Sequence, residues 1–165
     1  MDVFAHTLWA AVVYQKVPLK PRLWAAFGGV APDLFSFGLL FVQNLFSGAL
    51  RSGPPELASI PAYVFALYNI THSLVIFGLV VFALYFIRRR KWPWLIGGWG
   101  LHIVIDIFTH GREFFPTPFL WPFSTFTVDS FSWAEPWFMA VNYSALAVAY
   151  VVWYLRVRRR ARPTV

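Results

Sequence analysis

The chain has 165 residues, of which 59% are hydrophobic, 21% aromatic and only 13% charged, and its net charge is +7. This composition excludes an ordinary soluble domain and is typical of an integral membrane protein. Cysteine is absent, which excludes disulfides and thiolate ligands and leaves nitrogen and oxygen for any metal.

The apolar stretches predict an all-α polytopic membrane bundle with about five transmembrane helices, the first of them short. No polar segment long enough for a second domain separates them, so residues 1–165 are expected to form a single membrane domain. The predicted spans lie near residues 2–14, 23–47, 60–87, 92–110 and 136–155.

The basic residues lie between these stretches, which argues against a nucleic-acid partner. Twelve of the fourteen lysines and arginines fall in the first connection, the third connection and the tail 156–165. The positive-inside rule therefore predicts an outside N-terminus and a basic cytoplasmic tail, in a protein of the cell membrane.

Six ionisable residues interrupt the apolar stretches. Three of them recur every fourth residue, which stacks them on one face of a helix. At about 1.5 Å per helical residue, all six lie roughly 15 to 27 Å above the cytoplasmic boundary, in one layer. Such side chains are costly in a bilayer unless they pair, face water or hold an ion, and imidazole with carboxylate is a metal-ligand set. The six are His6, Asp33, His72, His102, Asp106 and His110.

The connection 111–135 is unusual because it carries eight aromatic residues and three prolines. We expect it to lie in the outer headgroup region as an aromatic interfacial loop, either anchoring the bundle or admitting a lipid from the side. Arg112 at its start is a candidate phosphate-binding residue. The alternative is an interfacial arginine that snorkels or pairs with Glu113.

Several short motifs together resemble the YdjM-type membrane-bound metal-dependent hydrolases. They are the early His6, APD at 31–33, THS at 71–73, H-x-x-x-D-x-x-TH at 102–110 and LWPF at 120–123. That family is in turn distantly similar to the zinc-dependent phospholipase C and P1 nuclease group, which suggests a helical fold and phosphoester chemistry by analogy.

The resemblance implies a set of metal ligands, with Asp106 bridging to a second ion flanked by His6 and His110. The residues implied to hold the first ion are Asp33, His72, His102 and Asp106. The chain departs from the family pattern after Asp33, where Leu34 replaces a frequent second acidic residue, and before THS, where Ile70 stands in place of a polar residue. The soluble relatives carry a further histidine and carboxylate downstream, whereas no histidine follows His110, so the resemblance implies one or two divalent ions, with zinc preferred.

The leading functional prediction is a membrane-embedded hydrolase that cleaves a phosphoester of a lipid or other amphiphile with metal-activated water. Asp33 or Asp106 is the candidate catalytic base, and the residues alone do not choose between them. Two alternatives stay open, namely a transporter for protons or divalent metal and a structural protein whose His/Asp cluster fixes helix packing. The oligomeric state is not predicted.

Overall fold

The computed structural model describes residues 1–48, 56–87 and 94–160. Within these ranges the regular structure is entirely helical, with one 3₁₀ turn at Leu57–Ser59 and no strand, which confirms the all-α prediction. The α-helices are α1 (Val3–Val13), α2 (Leu19–Ser47), α3 (Ala62–Thr71), α4 (Leu74–Ile87), α5 (Trp94–Thr109) and α6 (Pro136–Arg160).

Two of these helices, α2 with 29 residues and α6 with 25, are long and apolar enough to cross a membrane. A third candidate span consists of α3 and α4 together, which are bent by 54° at their junction. The apolar helices α1 and α5 are shorter, so the five-span count and the orientation of the termini stay predictions. Arg51, Arg162 and the basic run 88–91 lie outside the described residues.

The predicted span 60–87 is broken at the THS motif. His72 ends α3, and its N–H donates to the Tyr68 carbonyl at 2.9 Å. Ser73 begins α4, because its Oγ accepts hydrogen bonds from the backbone N–H groups of Val75 and Ile76 at 3.1 Å. A serine that caps a helix N-terminus satisfies donors that have no partner within the helix. The cap places His72 at an interior corner of the bundle.

The central helix is α2, which packs against α1, α3 and α5. Its contact with α5 depends on Gly98, where a Cβ atom would overlap the carbonyl oxygen of Ala25. Its contact with α1 depends on Gly29, where a Cβ would lie 2.8 Å from the His6 carbonyl oxygen. Small residues allow helix backbones in a membrane to approach closely, so the two glycines bring polar side chains of three helices within reach of one another.

The outer helix α6 packs on α1 and leaves most of its surface exposed. The Trp9 indole N–H donates to Asn142 Oδ1 at 2.8 Å, and the Tyr150 hydroxyl donates to the Leu8 carbonyl at 3.2 Å. Val148 is 63% exposed on the opposite side. A membrane supplies the apolar surroundings that such a surface requires.

Replacing Gly98 by alanine is expected to destabilise the fold by about 1–3 kcal/mol, because the added methyl group must displace the backbone of α2. Thermal unfolding in detergent micelles should show a lower midpoint. Gly78→Ala is the matched control, since a Cβ at Gly78 meets nothing within 4 Å. An equal effect of the two substitutions would contradict the proposed role of Gly98.

Candidate metal centre

All six ionisable residues predicted within the apolar stretches meet at one point in the structure. His6 comes from α1, Asp33 from α2, His72 from the corner between α3 and α4, and His102 with Asp106 from α5. His110 follows directly after α5. The side chain of Asp33 is 13% exposed, whereas the other five residues are buried.

Four of the six form a compact group that is suited to a metal ion. Asp33, His72, His102 and Asp106 each offer one ligand atom, and these atoms all lie within 4.8 Å of one another. The two imidazole Nε2 atoms are 2.9 Å apart. Asp106 Oδ2 lies 3.1 Å from His102 Nε2 and 3.5 Å from His72 Nε2. Asp33 Oδ1 lies 3.5 Å from His72 Nε2 and 3.8 Å from His102 Nε2.

The other oxygen of Asp106 faces a second set of groups. Oδ1 lies 2.8 Å from His6 Nε2 and 3.4 Å from His110 Nε2. The amino group of Met1 contacts this same oxygen and lies 3.0 Å from His110 Nε2. Asp106 therefore connects two halves of the cluster, as the sequence-based hypothesis of a bridging carboxylate requires.

Backbone carbonyls fix the orientation of three imidazole rings. Nδ1 of His102 lies 2.7 Å from the Gly29 carbonyl oxygen, Nδ1 of His72 lies 3.1 Å from that of Tyr68, and Nδ1 of His110 lies 2.8 Å from that of Phe115. A carbonyl oxygen only accepts, so each Nδ1 must carry the proton. The Nε2 atoms of the neutral rings then present lone pairs to the cluster, which is the arrangement that metal-ligating histidines use.

Neutral imidazole rings would leave the Oδ2 side of the cluster without positive charge. With neutral rings, the lone pairs of His72 Nε2 and His102 Nε2 face each other beside two carboxylates, and Asp106 Oδ2 has no hydrogen-bond donor among the described residues. Buried groups of this kind are costly without compensation. A divalent cation would interact favourably with all four ligand atoms at once. The alternative is additional protons on the imidazoles. The donor set therefore fits a metal ion.

His6 is the least constrained member of the cluster. Its ring stacks on that of His102 with centroids 3.8 Å apart. Neither of its nitrogens makes a hydrogen bond of good geometry within the described part of the chain, despite the short distance between Nε2 and Asp106 Oδ1. Both nitrogens are buried, so this ring is also available to a cation.

The aromatic connection 111–135 has two parts with different surroundings. Phe115 is 3% exposed and packs with Ile60, Val64 and Tyr68, so its side chain faces neither lipid nor water. Its backbone has a φ of 48°, which is uncommon for a bulky residue, and its carbonyl accepts from the Tyr68 hydroxyl at 2.9 Å as well as from His110. Phe123, in contrast, is 84% exposed. The first part supports the cluster, and the second is free to contact lipid.

Arg112 lies outside the cluster. Its side chain is 67% exposed, and its Nε lies 3.6 Å from Asp129 Oδ2, so its acidic partner is Asp129 and not the Glu113 of the alternative interpretation. The Arg112 backbone N–H donates to Asp129 Oδ1 at 3.1 Å. The two contacts hold the start of the connection against its later part.

Residues that support the ligands were not predicted from the sequence. The Thr71 hydroxyl donates to the Leu67 carbonyl at 2.9 Å, which leaves its oxygen to accept from His72 Nδ1, also at 2.9 Å. Tyr68 stacks on the His72 ring with centroids 3.7 Å apart. The position of Thr71 directly before His72 could have indicated a supporting role for its hydroxyl. The backbone carbonyl partners of the histidines could not be predicted in this way, because every residue has a carbonyl.

Comparison with known proteins identifies a matching protein family. The family model described as YdjM inner membrane protein matches residues 1–164, nearly the whole chain. No curated protein and no solved structure matches the chain significantly.

Thr71→Val is expected to weaken zinc binding by about tenfold, because it removes one acceptor that orients His72, and such supporting groups typically contribute this much. Competition with a chelator measures the affinity. Thr7→Val is the matched control, since Thr7 follows another cluster histidine but its hydroxyl donates to the Val3 carbonyl. Unchanged affinity in Thr71→Val would show that the hydroxyl does not support the ligand.

Proposed function

Because the chain belongs to the YdjM inner membrane protein family, we propose that the buried His/Asp cluster of this membrane protein is the centre of a metal-dependent hydrolase. The proposed substrate is a phosphoester of a lipid or other amphiphile. The observation that carries the proposal is the convergence of four ligand atoms of Asp33, His72, His102 and Asp106 within 4.8 Å of one another.

The composition of the ligand set supports zinc as the ion. Two imidazoles and two carboxylates are common zinc ligands, and the chain has no cysteine for a softer site. A bound divalent ion supplies Lewis acidity that polarises a phosphoryl oxygen and acidifies water. We propose one ion on the Oδ2 side of Asp106, where the four ligand atoms converge.

The two aspartates have different environments, which suggests different roles. Asp106 is enclosed by four imidazoles and is 1% exposed, so its role is to hold the cluster together. The Asp33 side chain is 13% exposed. A general base must reach the proton that it accepts, so we assign proton transfer from the attacking water to Asp33.

The surroundings of the cluster suit an amphiphilic substrate. Phe123 and Phe126 are exposed on the connection that follows His110, and aromatic side chains at such positions favour the headgroup region of a membrane. Arg112 lies on the same connection, two residues after His110, and its exposed guanidinium is the proposed phosphate contact. Guanidinium groups bind phosphate through two parallel hydrogen bonds.

His102→Ala is expected to abolish stoichiometric metal in the purified protein, because it removes one of the two imidazoles that face each other. Only His72 and the two carboxylates of the proposed ligand set would remain. Elemental analysis of parent and variant measures this loss. Val104→Ala on the same helix is the control, since Val104 is 45% exposed and outside the cluster. A parent protein without metal would refute the proposed centre.

Asp106→Asn is expected to lower the hydrolysis of a phosphodiester by about 100-fold or more, since the amide loses the charge that faces both halves of the cluster. Release of p-nitrophenol from bis(p-nitrophenyl) phosphate and of the headgroup from phosphatidylglycerol micelles measures the rate. Glu56→Gln, which removes one negative charge at an exposed site in the same way, should leave the rate unchanged. Metal binding without turnover in the parent would favour a packing role, and metal uptake into vesicles would favour a transporter.

A further inference from the structure

A groove of about 310 Å³ lies between α1, α5 and α6. Its walls are almost entirely apolar and include Trp9 and Val13 of α1, Leu101 and Ile105 of α5 and Phe138 of α6. The groove is open rather than enclosed, and one of its walls belongs to the largely exposed candidate span α6. In a membrane, the molecules that face this opening are lipids.

One end of the groove reaches the cluster. Thr109 lines the groove, and its Oγ1 lies 3.4 Å from Asp106 Oδ1. Met1 also lines the groove, and its amino group contacts the same oxygen. A molecule lying in the groove would therefore have one end beside the carboxylate that connects the two halves of the cluster.

The wall of the groove also contains an unsatisfied hydrogen-bond donor. Asn142 is 6% exposed, and its Oδ1 accepts from the Trp9 indole at 2.8 Å. An indole N–H can only donate, which fixes the orientation of the amide. Asn142 Nδ2 has no acceptor among the described residues. A buried donor without an acceptor is costly, so a ligand in the groove that brings an acceptor to Asn142 Nδ2 would be stabilised.

We infer that this groove holds one acyl chain of a glycerophospholipid and that Asn142 Nδ2 donates a hydrogen bond to the ester carbonyl of that chain. This assignment rests on the proposed function, which identifies the His/Asp cluster at the end of the groove as an active site. An acyl ester combines an apolar chain with a single acceptor near the headgroup, which matches an apolar groove with one free donor near the cluster. A packed helix matches poorly, because its backbone carbonyls are already hydrogen-bonded within the helix.

Photo-crosslinking tests the assignment without requiring turnover. Phosphatidylglycerol with a diazirine in its ester-linked acyl chain is reconstituted with the full chain in nanodiscs, and labelled residues are mapped by mass spectrometry. We expect labelling of the groove wall around Ile105 and Phe138. Ile105→Trp should lower this labelling about tenfold, the effect of displacing roughly two methylenes from an apolar site. Val148→Trp on the exposed face of α6 should not change it.

An ether-linked analogue tests the role of Asn142 in the unmodified protein. It lacks the carbonyl acceptor, so it should label the groove several-fold less than the ester. Asn142→Leu should remove that difference. The assignment is overturned by equal labelling from ester and ether lipids in the parent protein, or by labelling confined to the exposed faces. Groove labelling without hydrolysis would support the assignment while refuting the proposed enzymatic function.

Discussion

The structure depends on the compensation of buried negative charge around the Asp106 carboxylate. Both of its oxygens lie in the interior, one facing His72 and His102 and the other facing His6, His110 and the Met1 amino group. In surroundings of low dielectric constant, uncompensated charge would cost more than most single packing contacts supply. The helices α1 and α5 and the corner between α3 and α4, which carry these groups, therefore depend on compensation of this charge as well as on apolar packing.

Close backbone approach makes this compensation possible. Imidazole and carboxylate side chains are short, so ligands from separate helices can meet only if the helix axes lie close together. Gly29 and Gly98 allow that approach on either side of α2. The Gly29 carbonyl, exposed by the absence of a side chain, also accepts from His102 Nδ1. The same residue thus serves the packing of the helices and the orientation of a ligand.

Much of the fold and of the cluster could be predicted from the sequence, because both follow from periodicity. The apolar stretches predicted the helices. The four-residue spacing, together with a count of helical residues from the cytoplasmic boundary, predicted that the six ionisable residues lie in one layer. The break at His72 was not predicted, because the run from Val64 to Phe82 is mostly apolar and its few polar residues do not indicate a helix end. The carbonyl partners of Gly29, Tyr68 and Phe115 were not predicted either, since every residue has a carbonyl and only the folded backbone selects which one is used.

The energetics separate a functional cluster from one that merely fixes packing. Apolar side chains of similar volume often stabilise a fold as well as buried ionic groups do, or better, because they avoid desolvation. A packing role does not by itself require three imidazoles to hold Nδ1 on a backbone carbonyl and direct Nε2 inward. In that orientation, neutral histidines repel one another and the carboxylates unless a cation or an additional proton lies between them. Ring orientation is therefore stronger support for a metal ion than the number of ionisable residues in the cluster.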